Sequence, residues 1–79
     1  MLDMQAPTAL KRFREELNVV QDDMALSAGI RTGTYARIER GKNVSYTTAQ
    51  AILRALNTYR SNRNLPPIER VEDLGLSIV

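Results

Sequence analysis

Cysteine, histidine and tryptophan are all absent from this sequence. Without cysteine or histidine, the chain has no disulfide, no thiolate nucleophile and no set of the usual zinc ligands. The serine, tyrosine, lysine and carboxylate side chains that remain form no catalytic constellation. We therefore expect no enzymatic activity, no cofactor, no metal and no small-molecule substrate.

Long apolar segments are absent as well. No run approaches the ~18 to 20 apolar residues of a membrane span. The first seven residues also lack the basic region and apolar core of a secretion signal. These absences predict a cytoplasmic protein that does not span a membrane.

The composition is that of an ordinary folded domain, with 43% hydrophobic and 25% charged residues in a chain of 79. Its charge is distributed unevenly. Residues 1–30 carry three basic and five acidic side chains, whereas residues 31–63 carry seven basic and one acidic. This cationic block indicates a polyanionic partner, either nucleic acid or an anionic membrane surface. From charge alone, a merely solvated basic face is an equal alternative.

The spacing of apolar residues predicts a helical domain over residues 8–63, between a flexible N-terminus, residues 1–7, and a C-terminal tail, residues 64–79. In the tail we expect a short helical turn at Val71–Leu74 and an extended end over residues 76–79. The end of the tail, residues 74–79, is too apolar to be solvated. It either packs on its own domain or forms a two-fold contact with a second copy.

Two helices are predicted in the first half of the domain. The first begins near Pro7 and ends near Asn18. The second spans Gln21–Ala28 and stops at Gly29, where a positive φ favours glycine. Val20 precedes this helix without the polar side chain that usually caps a helix start. In the first helix, the residues predicted to face the core are Leu10, Phe13 and Leu17.

Two more helices are predicted after the bend at Gly29. The third covers residues 32–40, turns Tyr35 and Ile38 inward, and ends at Gly41. The fourth begins after Ser45, a good capping residue, and continues to about residue 63. Its inward face consists of Ala49, Ile52, Leu53 and Leu56.

The second and third helices together have the spacing of a helix-turn-helix. Two crossing helices need a small residue at the crossing, a glycine at the bend and apolar anchors on both inner faces. Ala25, Gly29, and the pair Tyr35 and Ile38 meet these requirements.

Four segments carry a resemblance to a known family: Leu10-Lys-Arg-Phe-Arg14, Gln21-Asp-Asp-Met-Ala25, Gly29-Ile30 and Ile38-Glu-Arg-Gly-Lys-Asn43. With them the chain resembles the lambda-repressor-like, Xre-type (Cro/CI) helix-turn-helix family over residues 10–56. The resemblance implies an all-α, five-helix DNA-binding domain. The sequence departs from the family pattern at Val20, at Gly33 inside the third helix, and at Val44, where proline is common.

The resemblance also implies that the third helix lies in the major groove and presents its first turn to the base edges. The contacts implied there are those of Thr32, Gly33, Thr34 and Arg37. We favour Arg37 as the base reader because a guanidinium makes two parallel hydrogen bonds to guanine, and a phosphate contact is the alternative. Thr34 has the alternative of capping the helix start. Gly33 weakens the helix by ~1 kcal/mol relative to alanine but lets the backbone approach DNA closely.

Four residues around this helix are interpreted as a phosphate clamp, which positions the domain without reading sequence. They are Arg31, Arg40, Lys42 and Asn43. A solvated charge run is the alternative for any one of them. By the resemblance, Gln21 also donates to a phosphate from the start of the second helix, and the alternative is an exposed residue without a partner.

Glu39 has a different implied role. The resemblance implies an ion pair between Glu39 and Arg14 that ties the first helix to the third. A purely exposed Glu39 is the alternative.

The function that the resemblance implies is sequence-specific regulation of transcription on double-stranded DNA in the nucleoid. We expect a repressor that occupies a near-palindromic operator as a homodimer and is controlled by its concentration or by an anti-repressor partner. The alternative is an antitoxin that also binds DNA, with residues 64–79 as the toxin-covering segment. An RNA or membrane-surface binder is disfavoured, because three tyrosines and one phenylalanine offer few side chains for stacking.

Overall fold

The computed structural model of the chain describes residues 8–79. The expected flexible N-terminus, residues 1–7, and the helix start expected near Pro7 lie outside the described residues. In chain order the elements are α1 (Ala9–Glu16), α2 (Gln21–Ala28), α3 (Thr32–Glu39), β1 (Asn43–Val44), α4 (Tyr46–Asn62), a 3₁₀ helix (Val71–Leu74) and β2 (Ser77–Ile78).

The fold is mostly helical, in agreement with the all-α helix-turn-helix class, but the expected five α-helices are not confirmed. Residues 8–79 contain four α-helices, and the fifth helical segment is the single 3₁₀ turn Val71–Leu74. Its neighbours explain why it is short. Arg70 is extended immediately before the turn, and Gly75 adopts a left-handed φ of 68° immediately after it.

Local capping chemistry explains several of the helix boundaries. The hydroxyl of Thr8 accepts a hydrogen bond from the Lys11 N–H at 3.1 Å and begins α1. Val20 gives α2 no side-chain cap, as the sequence predicts. Gly29 ends α2 with a φ of 77°, a conformation that other residues rarely adopt. Ser45 caps α4 through its hydroxyl.

The core lies between α2, α3 and α4, with α1 and the 3₁₀ helix closing it. Phe13, which the sequence predicts inside, is only partly buried and lies beneath the Arg60 guanidinium, 5.4 Å from the ring centroid. Among residues 8–79, no helix combines the length and apolar character needed to cross a membrane. The largest fully buried side chains are those of Tyr35, Leu10, Leu17, Met24, Ile52, Leu56 and Leu74.

The first part of the tail is bound to α4 by polar contacts. The side chain of Asn57 donates to the Ile68 carbonyl at 2.8 Å and accepts from the Ile68 N–H at 2.9 Å. Arg60 donates to the Pro66 carbonyl at 2.8 Å. These contacts return the chain along α4, so that Val71 can pack inward.

The end of the tail pairs with the segment between α3 and α4. Strands β1 and β2 run parallel, with Asn43 opposite Ser77 and Val44 opposite Ile78. The Val79 N–H donates to the Val44 carbonyl at 3.0 Å. The tail therefore folds back on its own domain.

Candidate nucleic-acid interface

The bend between α2 and α3 sets the direction of the third helix. Gly29 turns the chain in the left-handed conformation, and the Ile30 N–H closes the turn by donating to the Ala25 carbonyl at 3.0 Å. Arg31 is extended and is the N-cap residue of α3. The two helices are in contact, as a helix-turn-helix requires.

The buried face of α3 determines which of its residues face outward. Tyr35 and Ile38 are 0% and 3% exposed and anchor the helix to the core. The other side carries Gly33, Thr34 and Arg37, all of which are exposed. The edge of α3 formed by these three residues therefore faces solvent, where DNA can reach it.

A groove runs beside this exposed edge, between α3, β1 and the start of α4. Four of the residues predicted to contact DNA line it: Thr34, Arg37, Lys42 and Asn43. Two hydroxyls that the sequence did not point to, those of Ser45 and Thr48, line it as well. The groove thus combines two cationic side chains with small hydrogen-bonding groups, which is the chemistry that a phosphate backbone binds.

An ion pair joins α1 to α3 behind this edge. Arg14 Nε lies 2.6 Å from Glu39 Oε2, and Arg14 Nη2 donates to Glu39 Oε1 at 3.1 Å. Arg14 Nη1 also donates to the Val19 carbonyl at 2.9 Å. The two side chains are only 11% and 2% exposed, so the alternative of an exposed Glu39 is wrong.

A family model described as helix-turn-helix matches residues 10–62, more than half of the chain. The chain belongs to this helix-turn-helix family. The resemblance to Xre-type and lambda-repressor-like domains is thereby confirmed, and the family is one of DNA-binding transcription regulators. No curated protein and no solved structure matches the chain.

The remaining predicted contacts of this helix-turn-helix protein lie around α3. Arg31 and Arg40 are its two terminal capping residues, are exposed, and do not line the groove. Thr32 is half-buried at the first helical position. The alternative that Thr34 caps α3 is wrong, because Arg31 occupies the capping position and no side chain caps this helix start. The Thr34 hydroxyl thus remains available at the groove.

Gln21 has a partner that the sequence did not indicate. Its side-chain amide donates to Glu39 Oε1 at 2.9 Å from the first position of α2. The alternative of an exposed residue without a partner is therefore wrong. With Gln21 included, the carboxylate of Glu39 joins α1, α2 and α3 of the helix-turn-helix protein in one polar cluster.

The protonation states in this cluster follow from its contacts. Burial alone would raise the pKa of Glu39, but its contacts with Arg14, Tyr35 and Gln21 outweigh burial and lower that pKa. The hydrogen bond with Glu39 raises the pKa of Arg14. Burial raises the pKa of the Tyr35 hydroxyl, which adjoins the pair without a well-formed hydrogen bond of its own. The ion pair is consequently charged at neutral pH.

Proposed function

We propose that this helix-turn-helix protein is a sequence-specific repressor that binds double-stranded DNA through the major groove. The observation that carries the proposal is the division of α3 into a buried face and an exposed leading edge beside a cationic groove. An edge of this kind fits the docking geometry of a recognition helix. Repression then needs nothing beyond occupancy of the operator.

Within this proposal, Arg37 reads a base. Its side chain is exposed on the groove side of α3, and a guanidinium can make two parallel hydrogen bonds to guanine O6 and N7. Thr34 beside it is suited to a base edge or a thymine methyl group, and Thr32 lies at the start of the same helix. A phosphate contact by Arg37 remains the alternative.

The proposed phosphate contacts surround the base-reading edge. Lys42 and Asn43 line the groove, and Arg31 and Arg40 lie at the two ends of α3. Gln21 is the fifth, at the N-terminus of α2, where free backbone N–H groups also favour an anion. Such contacts fix the orientation of the domain on the duplex and carry no sequence information directly.

We further propose that the repressor acts as a homodimer on a near-palindromic operator. A single small domain buries little surface on DNA, and it gains specificity when two half-sites about one helical turn apart, ~34 Å, are bound together. A repressor of this kind works at the chromosome, in the nucleoid.

The antitoxin alternative has no observation in its favour. Its toxin-covering segment would be residues 64–79. That segment already packs against its own domain, because Val71 and Leu74 are buried and β2 is paired with β1.

The experiment that tests the proposal is selection of bound sequences from random duplex DNA with the wild-type protein and the Arg37→Ala variant. The wild type should select a near-palindrome with half-sites about one turn apart. In the sequences selected by Arg37→Ala, one position of each half-site should lose its base preference. The variant should bind a site with the preferred base at that position less tightly than the wild type by ~1 to 3 kcal/mol. Affinities are compared by fluorescence anisotropy at one salt concentration, and the salt dependence is measured over a series of concentrations.

Two further arginine variants serve as controls for Arg37→Ala. Arg40→Ala should weaken binding to all sequences alike. It should also reduce the slope of log K against log salt concentration by about 1. Arg63→Ala removes the same charge at the far end of α4 and should change neither affinity nor preference. A selected motif that is unchanged in Arg37→Ala would contradict base reading, and selection of a single half-site would contradict the dimer.

Gly33 offers a test in which stability and binding move in opposite directions. A Cβ added at Gly33 would meet nothing within 4 Å, so the chain itself leaves this space open. Gly33→Ala should therefore stabilise the free protein by ~0.5 to 1 kcal/mol. It should also weaken operator binding if the backbone approaches DNA closely there. Urea unfolding and anisotropy titration measure the two effects, and unchanged affinity would contradict a close approach.

A further inference from the structure

The end of the tail touches a residue that we propose to contact DNA. In the parallel pair of β1 and β2, Ser77 lies opposite Asn43. The Ser77 hydroxyl donates a hydrogen bond to Asn43 Oδ1 at 2.7 Å. The two residues are 34 positions apart in the chain, and neither contributes to the buried core.

Ser77 is held in place from both sides. Before it, Leu74 is 0% exposed, and a Cβ added at Gly75 would meet the backbone of Ala9 at 3.3 Å, so the chain packs closely there. After it, the Val79 N–H donates to the Val44 carbonyl. Strand β2 therefore places the Ser77 hydroxyl next to Asn43.

This hydrogen bond determines which way the Asn43 amide points. An asparagine side chain has one accepting oxygen and an NH₂ group with two donors. Because Oδ1 accepts from Ser77, the NH₂ group is directed to the other side. None of the described residues accepts a hydrogen bond from it. A phosphate oxygen only accepts, so this orientation is the one that a phosphate contact by Asn43 requires.

We propose that Ser77 is a positioning residue for DNA binding, which holds the Asn43 amide with its N–H donors facing the phosphate backbone. The inference rests on the proposed function and adds the tail to the DNA-binding machinery. Ser77 acts through Asn43 and does not itself touch DNA.

The test compares Ser77→Thr with Ser77→Val, because the two introduced side chains have nearly the same shape and differ in the hydroxyl. Ser77→Val should bind the selected operator about 3- to 10-fold more weakly than the wild type, the effect of losing one ordering hydrogen bond. Ser77→Thr should bind like the wild type. In the free protein, ¹⁵N relaxation should show the Asn43 side-chain amide rigid in the wild type and in Ser77→Thr, and mobile in Ser77→Val.

Salt dependence separates this role from a charge effect. Asparagine is neutral, so Ser77→Val should weaken binding without changing the slope of log K against log salt concentration. Lys42→Ala, by contrast, should reduce that slope by about 0.9 for each phosphate that it no longer neutralises. Ser61→Ala is the matched control, since Ser61 is an exposed serine near the far end of α4. The Ser61→Ala variant should bind the selected operator with the same affinity as the wild type.

A double-mutant cycle completes the experiment. Because Ser77 acts only through Asn43, Ser77→Val should cause no further loss of affinity in an Asn43→Ala background. Additive losses, or wild-type affinity in Ser77→Val, would overturn the positioning role while leaving the proposed function intact. Failure of the wild-type protein to bind any selected duplex would overturn both proposals.

Discussion

Replacement of Glu39 by alanine should lower the free energy of unfolding by about 3 to 5 kcal/mol, the cost of leaving a buried charge without its partner. The Arg14 side chain is 11% exposed and would lose both hydrogen bonds to the carboxylate. Gln21 would lose its acceptor as well. The change is measured by urea unfolding followed by circular dichroism, with linear extrapolation to water.

The chain contains its own control for this prediction. Arg70 and Glu72 form a second ion pair, at 3.8 Å, in which the side chains are 72% and 63% exposed. Glu72→Ala should cost less than about 1 kcal/mol, because exposed pairs are screened by solvent. Similar losses in Glu39→Ala and Glu72→Ala would mean that the pair of Arg14 and Glu39 is not buried in solution.

The double variant Arg14→Ala, Glu39→Ala tests the coupling between the two charges. Each single variant leaves the other charge buried and uncompensated, whereas the double variant leaves neither. Its loss of stability should therefore be clearly smaller than the sum of the two single losses. An additive result would mean that the two side chains act independently.

Replacement of Leu74 by alanine should destabilise the protein by about 2 to 5 kcal/mol, the range for truncating a large buried apolar side chain. Leu74 is 0% exposed, and its 3₁₀ helix contacts both α1 and α4. The removed side chain would leave a cavity at the point where the tail closes the core. Urea unfolding measures the loss.

Leu26→Ala is the matched control, since Leu26 is 79% exposed on α2 and its truncation should change stability by less than about 0.5 kcal/mol. If Leu74→Ala costs no more than Leu26→Ala, the tail does not pack on the domain in solution. A large loss confined to Leu74→Ala would identify the tail as an integral part of the core.

The helices were predictable because their signals are local. Gln21–Ala28 is bounded by acidic residues at its start and by Gly29 at its end, and the structure has the helix at those residues. The 3₁₀ turn Val71–Leu74 was predictable in the same way. The pairing of β1 with β2 was not, because it joins two-residue segments far apart in the chain, and only the extended end over residues 76–79 was predicted from local sequence.

The candidate site was predictable to the extent that it follows from helical periodicity. Once Tyr35 and Ile38 are assigned to the core, Arg37 must point elsewhere. The contacts that the sequence did not reveal are those between side chains of different elements, Gln21 with Glu39 and Ser77 with Asn43. Spacing within one helix carries no information about them.

The interleaving of inward and outward positions along α3 has an evolutionary consequence. Residues that hold the helix, such as Tyr35, Ile38 and Glu39, alternate with Gly33, Thr34 and Arg37, which touch little of the protein. These three exposed residues can be substituted, by drift or by selection, while the packing stays intact. In the repressor proposed above, the operator preference can therefore diverge within a lineage without a compensating change in the scaffold.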